Sequence, residues 1–311
     1  MKKTPFKIIF MSVILLSGLL LSACSQPVEP TAANFTIVDG LGKTITLAGS
    51  AKQIISLAPS NTEILFAVGA GPQVVGRDAF SDYPAEAAEV VDIGGGFGEL
   101  NLEVIIAANP DLVLAADLTP PEQIQTLEEA GLTVFALQNP TNFDGLYENI
   151  KTVAQLTGHE DDGAELVKAL KARVSAVTEK AGTLSDQPIV FYELDSTDSN
   201  APWTSGPGTF IDTLITMAGG INLGAKLEGA WVQISIEELI TQDPDLIILG
   251  DFTWGGVTPE MAASRAGWEG LSAIQQDKVF TFDDNLVSRP GPRLVDGLEM
   301  MAKLLHPDIF K

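Results

Sequence analysis

Side chains able to do chemistry are few in this chain. Its 311 residues include one cysteine, Cys24, and two histidines, His159 and His306. So small a set removes most of the donors a thiolate or imidazole metal site needs. His159 stands in Gly-His-Glu-Asp-Asp, a helix lead-in, and His306 lies close to the C-terminus; both read as surface residues. Carboxylate pairs such as Asp161-Asp162 and Asp283-Asp284 recur, but 41 acidic residues make such pairs by chance. Gly94-Gly-Gly96 and Thr204-Ser-Gly-Pro-Gly208 lack the Gly-Lys-Ser/Thr of a phosphate loop and a full dinucleotide fingerprint, so they read as tight loops at strand ends. Gly-x-Ser-x-Gly is also missing. With no nucleophile and base in evident partnership, the expectation is no enzyme: no catalytic residues, no metal and no cofactor.

The aromatic residues say more. Trp203 and Trp231 stand in turn-like settings, Ala-Pro-Trp-Thr-Ser-Gly and Gly-Ala-Trp-Val-Gln. Phe97 stands in Gly-Gly-Gly-Phe-Gly and Phe80 in Asp-Ala-Phe-Ser-Asp-Tyr-Pro. None continues an apolar period, so none is well placed for a core. On loops such rings can offer flat faces to a ligand, each with roughly 150–250 Å² of buriable surface.

These residues need a scaffold, and the N-terminus shows where it sits. Lys2, Lys3 and Lys7 precede an apolar run from Ile8 to Leu21, followed by Leu21-Ser22-Ala23-Cys24. Basic, apolar and then small residues make a secretory signal, and the run is short of the ~20 residues a membrane span needs. Leu-Ser-Ala-Cys resembles the bacterial lipobox, in which the cysteine is acylated. The leader is therefore 1–24, and Cys24 is expected to carry a lipid anchor on the extracytoplasmic face of the cell membrane. Residues 25–34, small, polar and Pro-containing, read as a flexible tether. Without the three leader lysines the formal net charge of −23 becomes −26. That argues against nucleic acid or anionic lipid as a partner and for a neutral or cationic one; the chain is expected to be a monomer, held at the membrane only by its lipid.

Along the rest, strand and helix patterns alternate. Phe35 to Leu47 alternates apolar and polar residues around Asp39-Gly40, a hairpin signal. Ile54-Ile-Ser-Leu57 reads as a buried strand; Ser60-Asn-Thr-Glu63 and Thr119-Pro-Pro-Glu122 read as capping boxes, the second with Pro at the first helical position. This βαβ texture predicts an α/β fold with largely parallel sheets. Leu166, Val167, Leu170, Val174 and Val177 recur at helical spacing within Asp161–Ala181, predicting one long amphipathic helix. The expected organisation is an N-terminal α/β lobe at 35–158, a linking helix at 159–182 and a C-terminal α/β lobe at 183–311. An internal repeat relates the lobes: Asn101-Leu-Glu103 through Pro110-Asp-Leu-Val-Leu114 matches Ser235-Ile-Glu237 through Pro244-Asp-Leu-Ile-Ile248 in the same register. Two equivalent lobes leave a cleft between them, where small ligands bind.

Ile54-Ile-Ser-Leu-Ala-Pro-Ser-Asn-Thr-Glu-Ile-Leu65, Val75-Gly76, Asn101-Leu-Glu103 and Pro110-Asp-Leu-Val113 resemble the helical-backbone class of substrate-binding proteins for ABC importers of vitamin B12, haem and iron-siderophores. The resemblance covers Phe35 to Phe310 and implies two Rossmann-like lobes joined by one long α-helix, with the ligand cleft between them. Phe80-Ser-Asp-Tyr-Pro84 is most similar to the B12-binding members. It implies a corrinoid ligand (cobalamin or cobinamide), with Phe80, Phe97, Trp203, Trp231 and Asp284 at the corrin. It also implies that Glu103 and Glu237 dock onto an ABC permease that works with its ATPase. Ala116 stands where another tryptophan is typical of B12 binders. Haem or a ferric siderophore is the alternative cargo: Tyr83 and Tyr192 suit haem, and Arg77, Arg289 and Arg293 suit an anionic chelate.

Overall fold

The computed structural model describes residues 34–96, 98–116 and 118–311. The leader with Cys24, residues 25–33 of the tether, and Phe97 lie outside them. The chain opens with the expected hairpin, β1 (Phe35–Val38) and β2 (Thr44–Leu47), Phe35 opposite Leu47. Asp39 closes its turn by accepting the N–H groups of Leu41 at 3.0 Å and Lys43 at 2.7 Å.

The N-terminal lobe follows as β3 (Ile54–Ser56), α1 (Pro59–Ala67), β4 (Val74–Arg77), α2 (Leu102–Ala107), β5 (Leu112–Ala116), α3 (Pro121–Glu129) and β6 (Val134–Leu137). Its four strands lie parallel in the order β4-β3-β5-β6. Helices cover both faces of such a sheet, which is why Leu112 to Ala115 and Val134 to Leu137 are unbroken apolar runs, all buried.

Two helices, α4 (Phe143–Thr157) and α5 (Glu160–Ala181), then turn on Gly158, whose φ of 78° is left-handed. Helix α5 has 22 residues, about 33 Å at ordinary rise. Glu160, Asp161 and Asp162 open it and Lys180 lies in its last turn, each favourable to the helix dipole. Val167, Leu170 and Val177 form its buried stripe.

The second lobe comprises β7 (Ile189–Asp195), β8 (Trp203–Ser205), α6 (Phe210–Met217), β9 (Ile221–Asn222), β10 (Trp231–Gln233), α7 (Ile236–Gln242), β11 (Leu246–Leu249), α8 (Phe252–Gly255), α9 (Pro259–Ala263), α10 (Ser272–Gln275), β12 (Val279–Thr281), α11 (Asn285–Ser288) and α12 (Leu294–Leu305). Strands β9, β7, β11 and β12 are parallel, while β8 and β10 add an antiparallel edge. One apolar cluster runs through both lobes, including Ile64 and Leu65 of α1, Leu170 of α5, and Leu298 and Met301 of α12.

The internal repeat is structural. Asn101 and Ser235 each cap their helix, accepting the N–H of Val104 and Glu238. Asn109 and Asp243 follow with φ of 47° and 41°. After Pro110 and Pro244, Asp111 accepts the N–H groups of Lys52 and Gln53 ahead of β3, and Asp245 accepts that of Ile189 at the start of β7. The Pro-Asp pair thus clasps the neighbouring parallel strand in both lobes.

Three local expectations need correction. Helix α1 starts at Pro59 with Ala58 as an N-cap that makes no side-chain bond, so Ser60 lies inside the helix and Glu63 is free for another partner. Proline presets the helical φ and so starts the helix one residue early. Helix α3 has Pro121 in its first turn, but Pro120 displaces Thr119 from the cap, and the Thr119 hydroxyl accepts the Ala116 N–H instead. His306 is buried, its Nε2 at 3.2 Å from the Gly219 carbonyl; the final helix packs it inward. His159 stays at the surface end of α5, 3.1 Å from Asp162.

Candidate functional site

Loops leaving the carboxyl ends of the parallel strands meet between the lobes, the usual ligand position in open α/β sheets. The β4 loop holds Phe80. Buried Asp78 accepts the Phe80 N–H at 2.9 Å and the Ser81 hydroxyl. Ser81 is linked through Thr62 to Ser56 at the end of β3, each step 2.8 Å. Burial pushes the Asp78 carboxyl up in pKa, opposed by those hydrogen bonds. Gly96 explains part of the glycine run: its φ is 68°, and a Cβ there would come within 2.3 Å of the Phe80 ring. The ring rests on bare backbone and stays 44% exposed.

In the second lobe, Trp203 on β8 and Trp231 on β10 are 39% and 56% exposed. Gln233 stands opposite Trp203, so Trp231 is its diagonal neighbour on the same face of the ribbon. Trp254 and Phe252, on short helix α8 after β11, are also exposed. Sequence reasoning did not assign them; the signal was there in Gly-Asp-Phe-Thr-Trp-Gly-Gly, aromatics on a Gly-bounded turn. Trp268 is different: fully buried, edge-on to Phe191, with Arg265 stacked 4.5 Å above it.

Asp284 lies at the end of the β12 loop. Its carboxylate accepts the Tyr192 hydroxyl at 2.7 Å and the Ser288 hydroxyl. Burial raises its pKa against those bonds. Tyr192 is itself fully buried, its pKa raised by burial and by Asp284, so its hydroxyl belongs to the protein interior. Beneath α8 lies a second acid cluster. Arg265 grips Glu193 with two bonds, at 2.5 and 2.9 Å, and Ser196 at 2.7 Å, while Ser196 donates to Asp251 at 2.6 Å. Glu193 and Asp251 are fully buried, and Asp251 Oδ1 meets no ordinary donor. Burial raises the pKa of both carboxyls, and the Asp251 charge adds to the rise at Glu193.

The floor of the cleft is a cross-lobe strap. Arg293 holds Glu63 at 2.5 and 3.0 Å, with only 2% of the Glu63 side chain exposed, and lies 3.8 Å over the Tyr83 ring. Arg289 holds Asp82, and these bonds pull the Asp82 pKa down against the burial that would raise it. Arg77 bonds the carbonyls of Ala87 and Asp78 and lies 3.6 Å from Asp92. All three arginines considered as anion receptors are therefore engaged by the protein itself. Behind the strap a cavity of about 470 Å³ separates the lobes from α5, walled by Phe66, Leu166, Leu170 and Pro292. Arg173 closes it, bonded to Asp296 at 2.6 Å and Glu299 at 2.7 Å.

Glu103 and Glu237 do not join this cleft. Both are exposed in the first turns of the equivalent helices α2 and α7. Among the described residues no group of three His, Cys, Asp or Glu side chains could hold a metal ion, and no helix is long and apolar enough to cross a membrane.

Two lobes built on largely parallel sheets, one bridging helix and a cleft between the lobes define a bilobed solute-binding protein. Residues 54–286 match the periplasmic binding protein family, and the chain belongs to it. It is 32% identical to the ABC transporter substrate-binding lipoprotein YvrC of Bacillus subtilis, covering 96% of this chain and 97% of that one. A cobalamin-binding protein of Halobacterium salinarum is 30% identical over 91% of this chain and 75% of its own length. Among solved structures, the periplasmic haem-binding protein RhuT of Roseiflexus superposes with a TM-score of 0.73 at 28% identity, covering 85% of this chain and all of that one. The protein is thus an ABC-type substrate-binding protein of the B12, haem and siderophore class, with a role in transport rather than catalysis.

Proposed function

We propose that the chain is an extracytoplasmic lipoprotein, anchored through Cys24, that binds a corrinoid and hands it to an ABC import permease. The observation that carries the cargo is the pairing of exposed rings with spent cations. Phe80, Trp203, Trp231 and Trp254 offer apolar faces, while Arg77, Arg289 and Arg293 are bonded within the protein. Cobalamin is large, amide-rimmed and near neutral, so it asks for stacking area and scattered polar groups. Haem carries propionate carboxylates and an anionic ferric siderophore a net negative charge, and either would need free cations. The cobalamin-binding relative supports the same reading.

Glu103 and Glu237 are assigned to permease docking, and Phe97 and Asp284 to the cargo, by their place in the resemblance. The lipid and tether would keep a monomeric carrier concentrated beside its permease. Titration of the chain lacking residues 1–24 with cyanocobalamin, followed by tryptophan fluorescence, tests the cargo. Saturable binding at micromolar ligand or below is expected; none at that level removes the corrinoid reading. Haem is the second reading, favoured by Tyr83, which is 44% exposed beside the cleft floor. A Soret band that titrates with added haem and is lost in Tyr83→Phe would establish it.

A further inference from the structure

Helices α2 and α7 each leave an aliphatic side chain in solvent. Ile106 is 50% exposed and Ile240 45% exposed. Each stands three residues after its glutamate, Glu103 or Glu237, so acid and isoleucine are neighbours on one helix surface. The preceding residues, Ile105 and Leu239, are fully buried and anchor the two helices alike. Isolated exposed isoleucines are ordinary. Two at equivalent points of two lobes, each beside an exposed acid, repeat one pattern on both lobes. Among the described residues neither glutamate is held in an ion pair.

We propose that the docking surface is a pair of Glu-x-x-Ile dyads, Glu103 with Ile106 and Glu237 with Ile240, which meet a two-fold-symmetric permease offering twice a cation beside an apolar pocket. The proposal rests on the carrier reading above and adds the apolar half of the contact. One chain presenting two equivalent dyads is matched by a partner with two equivalent receptors. The halves divide the labour. Rim charges steer association and carry its salt dependence. A desolvated aliphatic side chain acts on dissociation, where most interface mutations are felt.

The test uses the permease–ATPase complex through which this chain supports cargo uptake, held in lipid nanodiscs, with binding kinetics of the chain followed by interferometry. Ile106→Ser with Ile240→Ser is expected to raise the dissociation rate about tenfold or more and leave association within about twofold. Glu103→Gln with Glu237→Gln is expected to slow association and flatten its salt dependence. Both double variants should keep the melting temperature and the cyanocobalamin affinity of the parent. The single isoleucine variants should have comparable effects. If the isoleucine pair leaves dissociation unchanged, or one lobe carries all of its effect, the dyad proposal falls while glutamate docking stands. If the parent chain does not bind the complex, or neither pair alters binding, the carrier reading falls with it.

Discussion

Glu193 and Asp251 sit at the carboxyl ends of β7 and β11, both fully buried, Glu193 held by Arg265 and Asp251 by Ser196. Burial, and then the Asp251 charge, push the Glu193 carboxyl up to about 7 against the pull of Arg265. Its ordinary value is 4.5. Between those values the folded chain holds a proton the unfolded chain has lost, so stability falls as pH rises. The contribution is full below the unfolded pKa and gone above about 7; it is on the order of 3 kcal/mol by linkage. Urea unfolding at pH 5 and pH 8 should show this loss on going to pH 8. Glu193→Gln, which removes the titrating carboxyl, should flatten the slope. The acid residues were visible in the sequence, but 58 residues separate Glu193 from Asp251 and nothing local pairs them.

Element by element, the exposed aromatics were legible where a loop has an odd composition. Phe80, Trp203 and Trp231 were readable because each breaks the apolar period of its segment, and the fold leaves all three exposed. Trp254 and Trp268 could not be separated that way, since both fall in short segments between β11 and β12. The structure separates them by packing: Trp254 on solvent-facing α8, Trp268 in the core. Trp254→Ala should weaken cyanocobalamin binding about tenfold and leave the urea midpoint unchanged, as expected of one lost ring contact. Trp268→Ala should cost about 3–5 kcal/mol of stability, because it empties a buried site between Phe191 and Arg265. Equal effects of the two on stability would show that Trp254 is a packing residue. The two capping boxes failed at this scale: a proline outranked the Ser/Thr-x-x-Glu pattern in setting each helix start.

At the scale of the whole molecule, the lobes are tied by more than the linking helix. Glu63 and Arg293 meet across 230 residues, Asp82 and Arg289 across 207. Arg173 reaches from α5 to the C-terminal helix with a fork to Asp296 and Glu299. Together with the continuous apolar cluster, these ties favour small lobe motions over wide hinge closure. Glu63→Ala leaves Arg293 uncompensated and should cost about 3–5 kcal/mol in urea unfolding. Replacing both partners by methionine should recover most of that loss, since paired apolar side chains carry no desolvation cost. A double variant as unstable as the single one would mean that the shape of the strap, not its charge, holds the lobes.

The sequence by itself determined the βαβ order, the long linking helix and the equivalence of the two lobes, because periodicity, caps and the Pro-Asp clasp are local properties. It also marked Phe80, Trp203 and Trp231 as rings outside the core. Only the tertiary structure decided which tryptophans stay exposed and that the arginines are spent within the protein. It likewise buried two acids, Glu193 and Asp251, near one another. Each of these depends on side chains far apart in the chain becoming neighbours at the carboxyl ends of two sheets, and spacing along the sequence carries no record of that.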